Sequence, residues 1–211
     1  MIGYGLRVTG YGLRVMVLPI AYLGPRDWYS AYMRNPEAVE IEAMESFEKQ
    51  TYRNRCSIAR PSAGSDLRQP SDRIILTVPV KKVEHKQLTR DIEISYQSRW
   101  QHQHWISLTS AYRHTPYFDY YADYLRPMYE RETKWLWDFN SRLHEIIMAL
   151  LNAQCPLVES RKTASLKDKS PFAYRATTEW RGEDLNRWFG DGKSILDELF
   201  EFGNETKYRL E

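Results

Sequence analysis

The segment Gln50-Thr51-Tyr52-Arg53-Asn54-Arg55-Cys56 brings guanidinium, amide, phenol and thiol groups into one short run. In an extended chain, alternation sends Tyr52, Asn54 and Cys56 to one side and Arg53 and Arg55 to the other. Two arginines on one face suit a phosphate or carboxylate, because a guanidinium grips such groups through two parallel hydrogen bonds. The equal alternative is a solvated strand face paired with acids such as Glu40 and Glu42.

Cys56 is a nucleophile only as a thiolate, and nearby positive charge from Arg53 and Arg55 would lower its pKa toward that state. A thiol nucleophile also needs a base, and a group that orients the base. His104 is the candidate base. It shares a helical stripe with Trp100 and Leu108 and so faces inward, whereas His102 lies about 200° around the axis. On a later helical stretch Asn140 falls between Leu136 and Leu143, better placed than Asp138 to orient an imidazole. Cys56, His104 and Asn140 are therefore the candidate catalytic set. Tyr22, Gln50, Tyr52, Arg53, Asn54, Arg55, Trp100 and Tyr112 are the candidate substrate-binding residues. The plainer reading stands beside this one: a free cysteine commonly behaves as a small buried apolar group, and a buried histidine is commonly just hydrogen-bonded.

His102-Gln103-His104 imitates a metal pair, but on a helix residues two apart point away from each other. Neither Cys-x-x-Cys nor His-Glu-x-x-His occurs, so no metal is expected. A phosphate-cradling glycine loop, a Gly-x-Ser-x-Gly elbow and a dinucleotide fingerprint are also missing, and no cofactor is expected. The aromatic-rich stretch from Ala111 to Tyr121 reads either as a stacking wall for a sugar ring or base, or as helix packing. The three- and four-residue spacing of its rings favours packing.

These residues have to be positioned by a core. A chain of 211 residues is long enough to bury one as a single domain. Val15 to Leu23 reads as a buried strand, and Gly24-Pro25 stops it and opens a helix with Trp28 and Tyr32 on one face. Val39 to Glu42 alternates with period two, Ile74 to Val80 is β-branched, and Asp91 to Ile94 alternates again, giving three more strands. Residues 60–72 read as a loop. The pattern then turns helical: Trp100, His104, Leu108 and Ala111 form one stripe, and Tyr117, Tyr121, Tyr124 and Met128 another, which Pro127 should kink or divide. A long helix follows from Glu132 to Asn152, and residues 153–181 read as irregular. Ser194 and Asp197 are spaced as a capping box before Ile195 to Phe200, with Gly203 ending that helix. Strands first and helices later predict an α+β fold, a mixed sheet from the N-terminal half packed against a C-terminal set of helices.

Charge narrows the partners. The formal net charge is +2, from 30 basic and 28 acidic residues, which predicts no attraction to nucleic acid or to an anionic membrane. No apolar run approaches the ~20 residues of a membrane span, and the stretch after Arg14 lacks a signal-peptide cleavage site, so the expected location is the cytoplasm. Two cysteines, Cys56 and Cys155, read as reduced thiols. Tyr4-Gly5-Leu6-Arg7-Val8 recurs as Tyr11-Gly12-Leu13-Arg14-Val15. Two such short copies are no solenoid, and residues 1–14 read as a non-native or disordered extension before a single domain over 15–211.

Six segments follow one another in a familiar order. They are Tyr22 to Pro25, Gln50 to Arg55, Leu76 to Lys82, Trp100 with His104-Trp105 and Ala111-Tyr112, Pro116 to Tyr121, and Ser194 to Phe200. In that order, from about Leu18 to Gly203, the chain resembles the WbqC-like family. Gly24 departs from the Pro-Pro pair more usual there, which touches only a local turn. The resemblance implies a context, bacterial surface-polysaccharide (O-antigen) biosynthesis, and no particular reaction. Joined to the residues, it gives two expectations. One is a thiol-dependent acyl- or aminoacyl-type transferase acting on a nucleotide amino sugar, with Cys56 as nucleophile, His104 as base and Asn140 as orienter. Arg53 and Arg55 would hold a phosphate of the nucleotide sugar or acyl donor. The other is a non-catalytic nucleotide-sugar or carrier-binding module, or a scaffold, in the same pathway. The first two roles require the Tyr52 to Cys56 segment and the Trp100 to Tyr112 helix to meet across a shared pocket.

Overall fold

The computed structural model describes residues 6–8, 14–34, 39–59, 73–153, 159–160 and 193–210. The loop expected over 60–72, most of the irregular stretch over 153–181, and Cys155 lie outside the described residues. Strand β1 (Leu6–Val8) pairs antiparallel with β2 (Arg14–Leu18), Leu6 opposite Met16. One copy of the N-terminal repeat thus supplies an edge strand, and residues 1–5 and 9–13 lie outside the described residues. After β2 the chain passes through helix α1 (Arg26–Arg34) and returns as β3 (Val39–Glu42), parallel to β2 with Leu18 opposite Ile41. Parallel neighbours need such a crossover.

A separate antiparallel ribbon follows, β4 (Arg55–Ala59) with β5 (Arg73–Thr77), Cys56 opposite Leu76. Three helices come next, α2 (Trp100–Tyr112), α3 (Phe118–Glu130) and α4 (Leu136–Leu150). Strand β6 (Glu159–Ser160) then pairs in parallel with β3, completing a mixed sheet of order β1-β2-β3-β6. Helices α5 (Ile195–Phe202) and α6 (Thr206–Leu210) follow. The fold is α+β, as the order of patterns predicts, although the last strand of the sheet comes from beyond the three helices.

Four local expectations are corrected. Residues 50–54 are a turn, with Gln50 at φ 66 and the Asn54 and Arg55 amides both donating to the Thr51 carbonyl. Strand alternation begins only at Arg55, so Arg53 and Arg55 do not share a face. Asp91 to Ile94 buries Ile92 and Ile94 as alternation demands, but it is no strand. Its backbone makes single bridges, Glu93 with Trp135 and Ile94 with Val80, after a 3-10 turn over Thr89–Asp91. Pro127 does not divide α3, which runs on through it to Glu130. The long helix begins at Leu136, because Trp135 is extended and bridged to Glu93.

Trp28 and Tyr32 share a face of α1 as their spacing predicts, their rings stacked at 5.5 Å and 5°. Together with Tyr29 they enclose His144 of α4. Both nitrogens of that imidazole are buried without a hydrogen-bond partner among the described residues. Burial pushes its pKa down to about 4, so the ring is neutral and packs as an aromatic. On α5, Ser194 caps the first turn by accepting from the Leu196 amide at 3.2 Å. Gly203 ends the helix at φ 57, where the ring of Tyr117 leaves no room for a Cβ.

Candidate functional site

Helix α2 aims Trp100, His104, Leu108 and Tyr112 into the core, four residues apart as one stripe requires. His104 meets Tyr22, from the turn after β2. The Tyr22 hydroxyl shares a 2.8 Å hydrogen bond with His104 Nδ1 and a 3.0 Å bond with the Tyr129 hydroxyl of α3. Trp100 stands edge-on to His104 at 5.0 Å and to Phe139 at 5.6 Å. Burial holds the His104 pKa down at about 4, against a hydrogen bond with the Thr77 backbone that works the other way. The imidazole is therefore neutral. Asn140 does not orient it, because its amide donates to the Arg53 carbonyl at 2.8 Å and so ties α4 to the 50–54 turn. Tyr22 holds the ring instead.

Cys56 is fully buried, and no hydrogen bond joins it to His104 among the described residues. Tyr22, Tyr129, Asp197 and Arg73 all lie close enough to interact with it electrostatically. Burial and the negative charge of Asp197 push the thiol pKa up, and the positive charge of Arg73 does not overcome them. The expectation that Arg53 and Arg55 activate the thiol is thus corrected: its pKa is raised, and Arg73 is the guanidinium that acts against the rise.

The two arginines have different fates. Arg53 is buried and forms a forked ion pair with Glu45, Nε to Oε1 at 2.6 Å and a second bond from its terminal nitrogen to Oε2. Its other terminal nitrogen reaches Thr51 Oγ1 at 3.2 Å. The Arg55 side chain is half-buried and makes neither hydrogen bond nor ion pair among the described residues, and its Nε is buried without an acceptor among them. Desolvation alone shifts its pKa, downward. Asn54 donates to the Val78 carbonyl at 3.1 Å, and the Tyr52 carbonyl accepts from the Tyr22 amide at 2.8 Å, so both serve the turn. Gln50 lies exposed on it.

Tyr112, at the far end of α2, opens onto a hollow. Its hydroxyl donates to Asp197 Oδ1 at 2.7 Å, and Arg73 binds Asp197 Oδ2 at 2.6 Å while also donating to Ser57 Oγ at 2.8 Å. A cavity of about 220 Å³ lies above this pair, lined by Ala59, Ala111, Pro116, His114 and Glu201 among others. The β4 ribbon and α2 therefore do meet, but at Cys56 and His104 they meet as packed core and open into space only at the Ala59 and Tyr112 end. A wider hollow at Lys81, Glu93, Tyr96 and Lys134 is lined by none of the candidates. Asp197, Arg73 and Glu45 were missed from the sequence. The capping-box spacing concealed Asp197, whose carboxylate turns away from its own helix terminus.

Among the described residues no group of three His, Cys, Asp or Glu is placed to hold a metal ion, and no helix is long and apolar enough to cross a membrane. No curated protein and no solved structure gives a match to the chain. The model of the WbqC-like protein family matches residues 22–185, which takes in every candidate site residue from Tyr22 to Asn140. By that match, over most of its length, the chain belongs to the WbqC-like protein family.

Proposed function

We propose that the chain is a binding module of bacterial surface-polysaccharide assembly, holding the phosphate of a nucleotide sugar or of a phosphate-bearing carrier on Arg55 without covalent chemistry. One observation carries this reading: Arg55 is a partly desolvated guanidinium with no counter-charge among the described residues. Removing water from a cation without pairing it is costly, and a phosphate oxygen pair supplies the missing partner in the fork geometry that guanidinium favours. Thr77 stands beside Arg55, opposite it in the β4–β5 ladder, as a neutral hydroxyl that would add a donor.

A thiol-transfer role would need Cys56 uncovered and ionised, and its burial and raised pKa lend that role no support. The two readings separate by mass. Purified protein is incubated with UDP-N-acetylglucosamine and with an acyl thioester, then analysed by native and by denaturing mass spectrometry. The expected result is a non-covalent nucleotide-sugar complex and no acyl adduct at Cys56. An adduct that disappears in Cys56→Ser would restore the transferase reading and remove this one.

A further inference from the structure

We infer that the hollow at Lys81, Tyr96, Glu132 and Lys134 takes the nucleoside end of the ligand whose phosphate lies on Arg55. The ligand is then a ribonucleoside diphosphate sugar and not a lipid-linked one. The inference rests on the phosphate reading above and deepens it.

Arg55 and the hollow share one face of the same extended segment. Thr77 stands opposite Arg55 in the β4–β5 ladder. Beyond Thr77 the chain changes partner. The Val78 amide donates to the Asn54 carbonyl at 2.8 Å, and Val80 then bridges to Ile94 on the other edge. Around that bridge the Lys81 amide donates to the Glu93 carbonyl and the Ser95 amide to the Pro79 carbonyl, both at 2.9 Å. Leu76 and Val78 are buried and Val80 packs against the core, so alternation turns Thr77, Pro79 and Lys81 outward, with Ser95 and Glu93 beside them. From Thr77 to Lys81 is about 13 Å at the rise of a strand. Lys81, Glu93 and Ser95 line the hollow, whose volume of about 630 Å³ lies within the ~300–1,000 Å³ of small-molecule sites. A ligand anchored by phosphate on Arg55 meets this hollow next along the face.

Tyr96 supplies a fixed ring. Its hydroxyl donates to the Thr133 carbonyl at 2.9 Å and accepts from the Thr133 amide at 2.7 Å, and its ring lies 5.9 Å from that of Trp100. A ring held in this way has little rotational freedom left to lose when a base stacks on it. Glu132 is exposed and makes no ion pair among the described residues. A carboxylate accepts hydrogen bonds without donating, which is what the diol of a ribose requires. The lysines do not select the ligand. Lys81 and Lys134 both lie on Glu93, at 2.6 and 3.9 Å, so the two lysines and two glutamates of the lining balance. The exposed charged residues adjoining the lining in the chain, Lys82 and Arg131, are both basic, so the surroundings do not repel a diphosphate. A balanced, hydrogen-bonding lining suits a nucleoside. A lipid tail laid there would take water from its charged groups without replacing it.

The probes are UDP, inorganic pyrophosphate and farnesyl diphosphate, titrated calorimetrically into the wild type, Tyr96→Leu, Glu132→Ala and Arg55→Ala, with folding checked by thermal melting. Glu132 is exposed, so its variant carries the test if Tyr96→Leu does not fold. UDP should bind at least about tenfold more tightly than either other diphosphate. Tyr96→Leu should weaken UDP about tenfold and Glu132→Ala several-fold, both leaving pyrophosphate unchanged, whereas Arg55→Ala should weaken all three probes. UDP no tighter than pyrophosphate, or equal UDP affinity in the wild type, Tyr96→Leu and Glu132→Ala, would overturn the inference while leaving the phosphate reading in place. Farnesyl diphosphate binding more tightly than UDP would overturn it in favour of a lipid-linked ligand. UDP binding that needs Tyr96 and Glu132 but not Arg55 would keep the nucleoside site and overturn the phosphate reading. Absence of UDP binding at millimolar concentration would overturn both.

Discussion

The Tyr112 hydroxyl donates to Asp197 Oδ1 at 2.7 Å, across 85 positions of sequence, and in doing so pins the end of α2 to the first turn of α5. Asp197 is nearly buried, and Tyr112 and Arg73 donate to its two oxygens. Replacing Tyr112 by Phe removes one donor and leaves a carboxylate oxygen short of a partner. Tyr112→Phe should cost about 1.5–3 kcal/mol in urea denaturation, the range for hydrogen bonds to charged groups. A loss below ~0.5 kcal/mol would mean that Oδ1 finds another donor.

The Arg53–Glu45 pair is buried on both sides, and Asn140 secures the same turn through the Arg53 carbonyl. Breaking such a pair by removing one partner leaves a buried charge, at about 3–5 kcal/mol. Arg53→Met should lose that much. Adding Glu45→Leu to it should recover most of the loss, since two apolar groups need no counter-charge. Additive losses in the double variant would show that packing rather than charge holds the turn.

His104 and His144 both have folded pKa values near 4, against the ordinary 6.5 expected when unfolded, in each case mainly through burial. Between those values the unfolded chain binds protons that the folded chain refuses. Their stability contribution is therefore full above pH 6.5, falls as the pH is lowered toward 4, and is flat below that. In mid-window the slope should correspond to about two protons. His144→Leu should bring it to about one, because Leu fills the cage of Trp28, Tyr29 and Tyr32 without titrating. Urea midpoints measured from pH 7.5 to 4.5 on both proteins give this difference, and parallel curves would contradict it.

What was legible in the sequence was what a period encodes. The α2 stripe put His104, Trp100 and Tyr112 in the core, and the α1 spacing put Trp28 on Tyr32. The β-branched run gave β5, although its Pro79 end forms no ladder. The 50–56 segment misled because alternation holds only for extended backbone, and Gln50 in the left-handed region starts a turn. Partners distant in the chain left no local trace. Glu45 is eight residues from Arg53 but across a turn, and Asp197 lies 124 residues from Arg73. The sequence showed two arginines of one kind; the fold supplies a buried partner to one and, among the described residues, none to the side chain of the other.

That difference is most directly tested by equilibrium titration of UDP-N-acetylglucosamine into the wild type, Arg55→Ala and Arg55→Lys. The wild type should bind, Arg55→Ala should lose at least about tenfold, and Arg55→Lys should recover part of it, keeping the charge without the fork. Equal affinity in all three proteins, with folding intact, would contradict the assignment of Arg55 as the phosphate anchor.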